Sequence, residues 1–115
     1  MLGLNEEYRF YVYTGKVNLR RGCMSLCEVV RSEMKANPAD ERNVYIFINR
    51  RCNIIKLLHY ERGCYVLYEK RPVAGRFRKP VYDAQSGRYK ICYADAVCLT
   101  EGLARTEIRL PKAGE

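Results

Sequence analysis

The stretch from Val44 to Phe77, VYIFINRRCNIIKLLHYERGCYVLYEKRPVAGRF, constrains the fold more than any other part of this chain. Three apolar runs alternate with short turns. Residues 44–49 place Val44, Ile46 and Ile48 on one face and Tyr45 and Phe47 on the other. Both faces are apolar or aromatic, so this strand is expected at the centre of a sheet. Two further strands are predicted over 54–60 and 64–70. Glu61-Arg62-Gly63 between them suits a three-residue hairpin with Gly63 in the left-handed conformation. In such an up-down-up meander, the connections carrying Arg50-Arg51 and Lys70-Arg71 fall at the same end of the sheet.

Upstream, the aromatic and β-branched run over 8–14, YRFYVYT, reads as a first strand, and Gly15 opens a turn. Leu19, Cys23, Leu26, Cys27, Val30 and Met34 recur at helical spacing and form one apolar stripe over 19–34. Asn18 is a suitable N-cap, and Asn37-Pro38 ends the segment. Downstream, 76–87 holds Pro80 and little periodicity and is expected to be mostly loop. A short strand is predicted over 89–92, a short helix over 93–101 closed by Gly102, and a tail over 103–115. The expected architecture is a single α+β domain with its core over about 8–102. A largely antiparallel, four- to five-stranded sheet is covered by one main helix, in strand-helix-strand-strand-strand order.

A length of 115 residues and 48% hydrophobic content are enough for one packed domain. The 21 Lys and Arg exceed the 13 Asp and Glu by eight, which favours an acidic partner, nucleic acid first. The chain shows no membrane-length apolar run, and MLGLNEEYRF lacks the apolar stretch of a signal peptide, so a cytoplasmic protein is expected. Cys23, Cys27, Cys52, Cys64, Cys92 and Cys98 are then expected as free thiols; they form no CxxC pair, and His59 is the only histidine. No cofactor, metal or small-molecule substrate is expected.

Topology sharpens the charge argument. The predicted helix should run back along the sheet in a right-handed crossover, making the first two strands parallel. Arg20 and Arg21 at its start then join Arg50, Arg51, Lys70, Arg71, Arg76, Arg78 and Lys79 at one pole, the candidate nucleic-acid-binding set. Glu6, Glu7, Asp40, Glu41 and Glu61 fall at the other. Arginines in a first helical turn oppose the helix dipole, and a phosphate there would turn that cost into a site. The alternative is that they snorkel or pair with acids. The ten tyrosines permit base stacking, although most, Tyr45 and Tyr65 among them, fit core or sheet positions better. Lys56, alone in IIKLL, marks either an exposed face or a buried pair with Glu69.

Catalysis is disfavoured. Metal-dependent strand transfer needs clustered carboxylates, and Glu69 is the only acid inside a predicted core strand. No base is placed beside a Cys or Ser nucleophile, and neither Gly15 nor Gly22 belongs to a nucleotide-binding fingerprint.

NLRRG (18–22) with the SLCEVVRSEM helix, VYIFINRRCNIIKLL (44–58) and LYEKRPVAGRF (67–77), with a weaker echo in ADAVCLTEGL, resembles the small second-frame accessory protein of IS66-type insertion sequences, the TnpB or Orf2-like family. The resemblance runs over about 8–80. The chain departs from the family pattern at Asn18, where Asp is usual, at Cys64, where an aromatic is usual, and at Pro72, where Leu is usual. The resemblance implies a role in transposition beside a separate, larger transposase that carries the catalytic acids. It carries no biochemical activity over to particular residues. The expected partners are DNA, the element ends above all, and that transposase. Two other roles stay open: a module docking on the transposase without touching DNA, and an RNA-binding regulator.

Overall fold

The computed structural model describes residues 3–81, 88–102 and 108–109. Its elements run β1 (Arg9–Tyr13), α1 (Cys23–Ser32), β2 (Asn43–Ile48), β3 (Ile55–Glu61), β4 (Cys64–Lys70), β5 (Pro80–Val81), β6 (Arg88–Ile91), α2 (Tyr93–Glu101) and β7 (Ile108–Arg109). The main sheet has five strands in the order β4-β3-β2-β1-β6. β2 is central, as its two apolar faces require. β1 and β2 pair in parallel, while every other pair in this sheet is antiparallel. β5 and β7 form a separate two-stranded parallel pair.

The hairpin is tighter than the sequence suggested. Glu61 pairs with Cys64, so the turn is only Arg62-Gly63. Both have positive φ, 49° and 80°. That is the conformation a two-residue turn adopts to match the right-handed twist of the strands. Arg62 therefore shares the left-handed geometry expected of Gly63 alone.

The first helix is shorter than its apolar stripe. Asn18 does not cap it. Its Oδ1 accepts the Arg20 N–H at 3.0 Å and its carbonyl accepts the Arg21 N–H at 3.2 Å, a local turn that postpones the helix to Cys23. Gly22 is the N-cap and contributes no side-chain bond. At the other end Lys35 turns left-handed (φ 53°), and the Ala36 N–H reaches back to the Val30 carbonyl at 3.1 Å. This is the closure that usually recruits glycine. Leu19 and Met34 still bury their side chains at 3% and 1% exposure, so the stripe outlasts the helix.

Both faces of the sheet are covered, the first by the main helix α1 and the second by the short helix expected over 93–101. On one face α1 lays Leu26, Cys27, Val29 and Val30 against Tyr45, Phe47 and Leu58. On the other, Ala96 and Leu99 of α2, together with Leu4 and Phe77, pack on Phe10, Val12, Val44, Ile46, Ile55 and Leu57. A fully buried Leu such as Leu26 contributes about 1.5–3 kcal/mol through removal from water. α2 spans the residues predicted for it. β6 fills the edge beside β1, and Pro80-Val81, expected in a loop, form β5. Of the predicted tail, Ile108 and Arg109 belong to β7, and 103–107 and 110–115 lie outside the described residues, as does 82–87 of the predicted loop. Among the described residues no helix is long and apolar enough to cross a membrane.

Candidate nucleic-acid interface

The ladder registers decide which connections meet. Ile48 pairs with Ile55, and Ile55 with Lys70, while parallel pairing sets Val12 beside Ile46. The connections leaving β1, β2 and β4 therefore open at one end of the sheet. Each carries cations.

The β2–β3 connection is braced from within. Asn49 Oδ1 accepts the N–H groups of Asn53 and Ile54, both at 3.0 Å, and Asn49 Nδ2 donates to Asn53 Oδ1 at 2.6 Å. Cys52 adopts a left-handed conformation (φ 56°) and turns its side chain inward. Arg50 and Arg51 are left exposed at the tip. The Cys52 carbonyl also accepts the Phe77 N–H at 2.8 Å, drawing the segment with Arg76 and Lys79 against this loop. Burial pushes the Cys52 thiol pKa up, while the nearby charges of Lys79 and Arg76 pull it down. The two basic segments thus meet, as the connectivity implies.

Arg20 and Arg21 reach the same end by a different route. They sit in the turn before α1 rather than in its first turn, so the dipole argument for a phosphate at these arginines does not apply. The turn is held over the sheet by Lys56, whose Nζ donates to the Arg21 carbonyl at 3.0 Å. The Arg21 charge opposes the burial, and the Glu33 charge, that raise the Tyr13 phenol pKa. Lys56 is only 7% exposed and also pairs with Glu69 at 3.5 Å, so the buried pair is the arrangement found.

Three of the expected cations are committed elsewhere or turned inward. Lys70 Nζ bonds Glu101 at 2.7 Å and the Thr100 carbonyl at 2.6 Å, strapping β4 to the C-terminus of α2. Its charge favours the free carbonyls there. Arg71 Nε bonds Glu69 at 2.6 Å. That bond, then the Arg71 and Lys56 charges, hold the Glu69 carboxyl below its ordinary pKa. Arg78 is half-buried, and its Nε finds no hydrogen-bond partner among the described residues. Arg20, Arg21, Arg50, Arg51 and Arg76 remain exposed with no described acid in ion-pair contact, and Lys79 is exposed beside them.

Two basic residues at this end escaped the sequence reading. Lys16 follows Gly15 where β1 ends, and the connectivity alone could have placed it. Arg88 lies opposite Tyr13 in the β1–β6 ladder, with its guanidinium 5.4 Å from the centre of the Tyr11 ring. Nothing local could reveal that, because it requires knowing that β6 pairs with β1. The opposite pole is less acidic than expected. Asp40 is held by Arg9 at 2.8 Å and Arg42 at 3.6 Å, and Glu41 accepts the Arg62 N–H.

Tyr45 is wholly buried. Its hydroxyl donates to the Asn37 carbonyl at 2.7 Å and accepts from Asn43 Nδ2 at 2.8 Å. His59 is also buried, with Nδ1 3.0 Å from the Asn43 carbonyl and its ring edge-on to Tyr8. Among the described residues no group of His, Cys, Asp and Glu is placed to hold a metal. All six cysteines are free thiols, with Cys27 and Cys52 buried.

Fold and surface together define a small basic α+β protein whose candidate site is a charged end of a sheet. The chain belongs to the IS66 Orf2-like family, TnpB_IS66, whose model matches residues 8–109. This is a family of accessory proteins of transposition. The chain is also 30% identical to the Sinorhizobium fredii (strain NBRC 101917 / NGR234) protein y4hO, described as uncharacterized. That match covers 103 residues, 90% of this chain and 87% of the relative. No solved structure matches.

Proposed function

We propose that this chain is a non-catalytic transposition factor that grips the phosphate backbone of DNA with its basic pole, beside the separate transposase of the same element. The observation that carries the reading is the junction of the β2–β3 loop with segment 76–79. It presents Arg50, Arg51, Arg76 and Lys79 on one exposed surface, with Lys16, Arg20 and Arg21 on neighbouring connections. Guanidinium groups suit phosphate because their planar fork can donate two parallel hydrogen bonds. Lys70 and Arg71, engaged by Glu101 and Glu69, are structural in this reading, and Arg78 is peripheral. A non-catalytic role is supported by the fate of the acids. Glu69, expected in a core strand, lies on the edge strand β4 and faces Lys56 and Arg71 rather than another carboxylate.

A pull-down with the neighbouring transposase, with and without element-end DNA, tests the proposal. Salt-sensitive capture of duplex DNA, and of transposase together with it, is the expected result. Tight transposase binding with no duplex binding at low salt would replace it with the docking role. Strong preference for RNA would replace it with the regulatory one.

A further inference from the structure

The basic pole is not flat. The segment after β1, the end of β2, the β2–β3 loop and Lys79-Pro80 enclose a cleft of about 520 Å³. Apolar groups line it: Ile48 at the end of β2, Val17 and Pro80. Tyr13 forms one wall. Its ring lies so close over Gly15 that a Cβ there would clash with the phenolic oxygen. Only glycine lets the ring occupy that position. Lys16, Arg50 and Lys79 line the cleft as well, with Asn18 and Asn49.

A surface that follows only the phosphate track needs exposed charge and no concavity. A cleft of several hundred cubic ångströms lined by both apolar and cationic side chains matches a ligand with a flat apolar body and an anionic attachment. A nucleotide has that shape and charge. A base inside a duplex cannot present its face, because it is stacked on both sides; a base must be single-stranded or extruded to enter a protein cleft. We infer that the cleft receives one unpaired nucleotide of a DNA end, its base against Tyr13, Val17 and Ile48 and its phosphates on Arg50 and Lys16. This rests on the reading of the pole as a DNA-backbone surface and adds to it a contact that distinguishes a DNA end from uninterrupted duplex.

The test uses the full chain and three labelled duplexes: one blunt, one with a single unpaired 2-aminopurine nucleotide at the 3′ end, and one with an abasic residue at that position. The protein has no tryptophan, so the emission of 2-aminopurine is read against a weak protein background. The unpaired base is expected to tighten binding on the order of 5- to 150-fold over the blunt and abasic duplexes, the range that stacking of one base supplies. Its emission should change on binding. Ile48→Phe, which fills the cleft, should remove the preference and leave blunt-duplex affinity as in the wild type. The abasic comparison needs no variant and decides the matter if Ile48→Phe proves unstable. Equal affinity for all three duplexes would overturn the cleft and leave the basic pole standing. An equal gain for the overhang and the abasic duplex would also overturn it, by assigning the gain to the added phosphate. Absence of binding to every duplex would remove both readings together.

Discussion

Loss of Arg50 and Arg51 together should change the salt dependence of DNA binding more than the fold. Both are exposed at the tip of a loop whose shape is held by Asn49 and by the inward turn of Cys52, so neither guanidinium is needed for folding. If about five cations of the pole reach phosphates, the slope of log affinity against log salt is about −4.5, at about 0.9 per neutralised phosphate. Removing two brings it to about −2.7. Between about 50 and 200 mM salt the wild type should then lose about 500-fold in affinity, the double alanine variant only about 40-fold. The weakening should be uniform across DNA sequences, because phosphate contacts carry no base information. Fluorescence anisotropy of a labelled duplex over a salt series measures the slope, and thermal unfolding checks that the fold is kept. Arg71→Ala is the matched control. Its guanidinium is bonded to Glu69 at 2.6 Å, so it should leave the slope nearly unchanged. An unaltered slope in the double variant, or an equal fall in the control, would refute the assignment of free and committed arginines.

Tyr45→Phe removes a buried hydroxyl that serves both Asn37 and Asn43, and should cost about 1–3 kcal/mol in denaturant unfolding. A cost near zero would show that those groups find other partners. Lys56→Met removes the buried ammonium that donates to the Arg21 carbonyl and faces Glu69, and should lower stability by about 1–3 kcal/mol. Glu69→Ala should lower stability by about 1 kcal/mol, because Glu69 is 40% exposed and water replaces part of what Lys56 loses. A larger loss in Glu69→Ala than in Lys56→Met would contradict the arrangement. Stability should also fall in acid. Asp40 is held below its ordinary pKa first by the Arg42 N–H and then by the Arg9 and Arg42 charges; Glu69 is lowered first by the Arg71 hydrogen bond. A carboxyl lowered in the folded state stabilises fully above the ordinary carboxylate range and loses that contribution as pH falls through and below it. Melting temperatures followed from neutral pH into that range should drop less steeply in Asp40→Asn/Glu69→Gln than in wild type.

Local pattern determined the parts of this protein whose cause is local. The period-2 runs marked β2, β3 and β4, and the two apolar faces of 44–48 marked the central strand. Gly63 marked the hairpin, and the helical stripe marked α1. Chain connectivity then implied that Arg50 and Arg51 share an end with segment 76–79, because successive antiparallel strands must alternate direction. Tertiary structure alone decided the rest. That α2 covers a second face depends on the pairing of β6 with β1, which joins residues far apart in the chain. That Arg20 and Arg21 precede α1 depends on Asn18 bonding in a turn instead of capping, an outcome its side chain permits equally. Lys70-Arg71 is a basic pair like Arg50-Arg51, yet Glu101, 31 residues away, holds Lys70 and the nearby Glu69 holds Arg71, while Arg50-Arg51 has no described acid in contact. Sequence records the sign of each charge. Only the folded arrangement decides which opposite charge lies within reach, and therefore which cations are left for a partner.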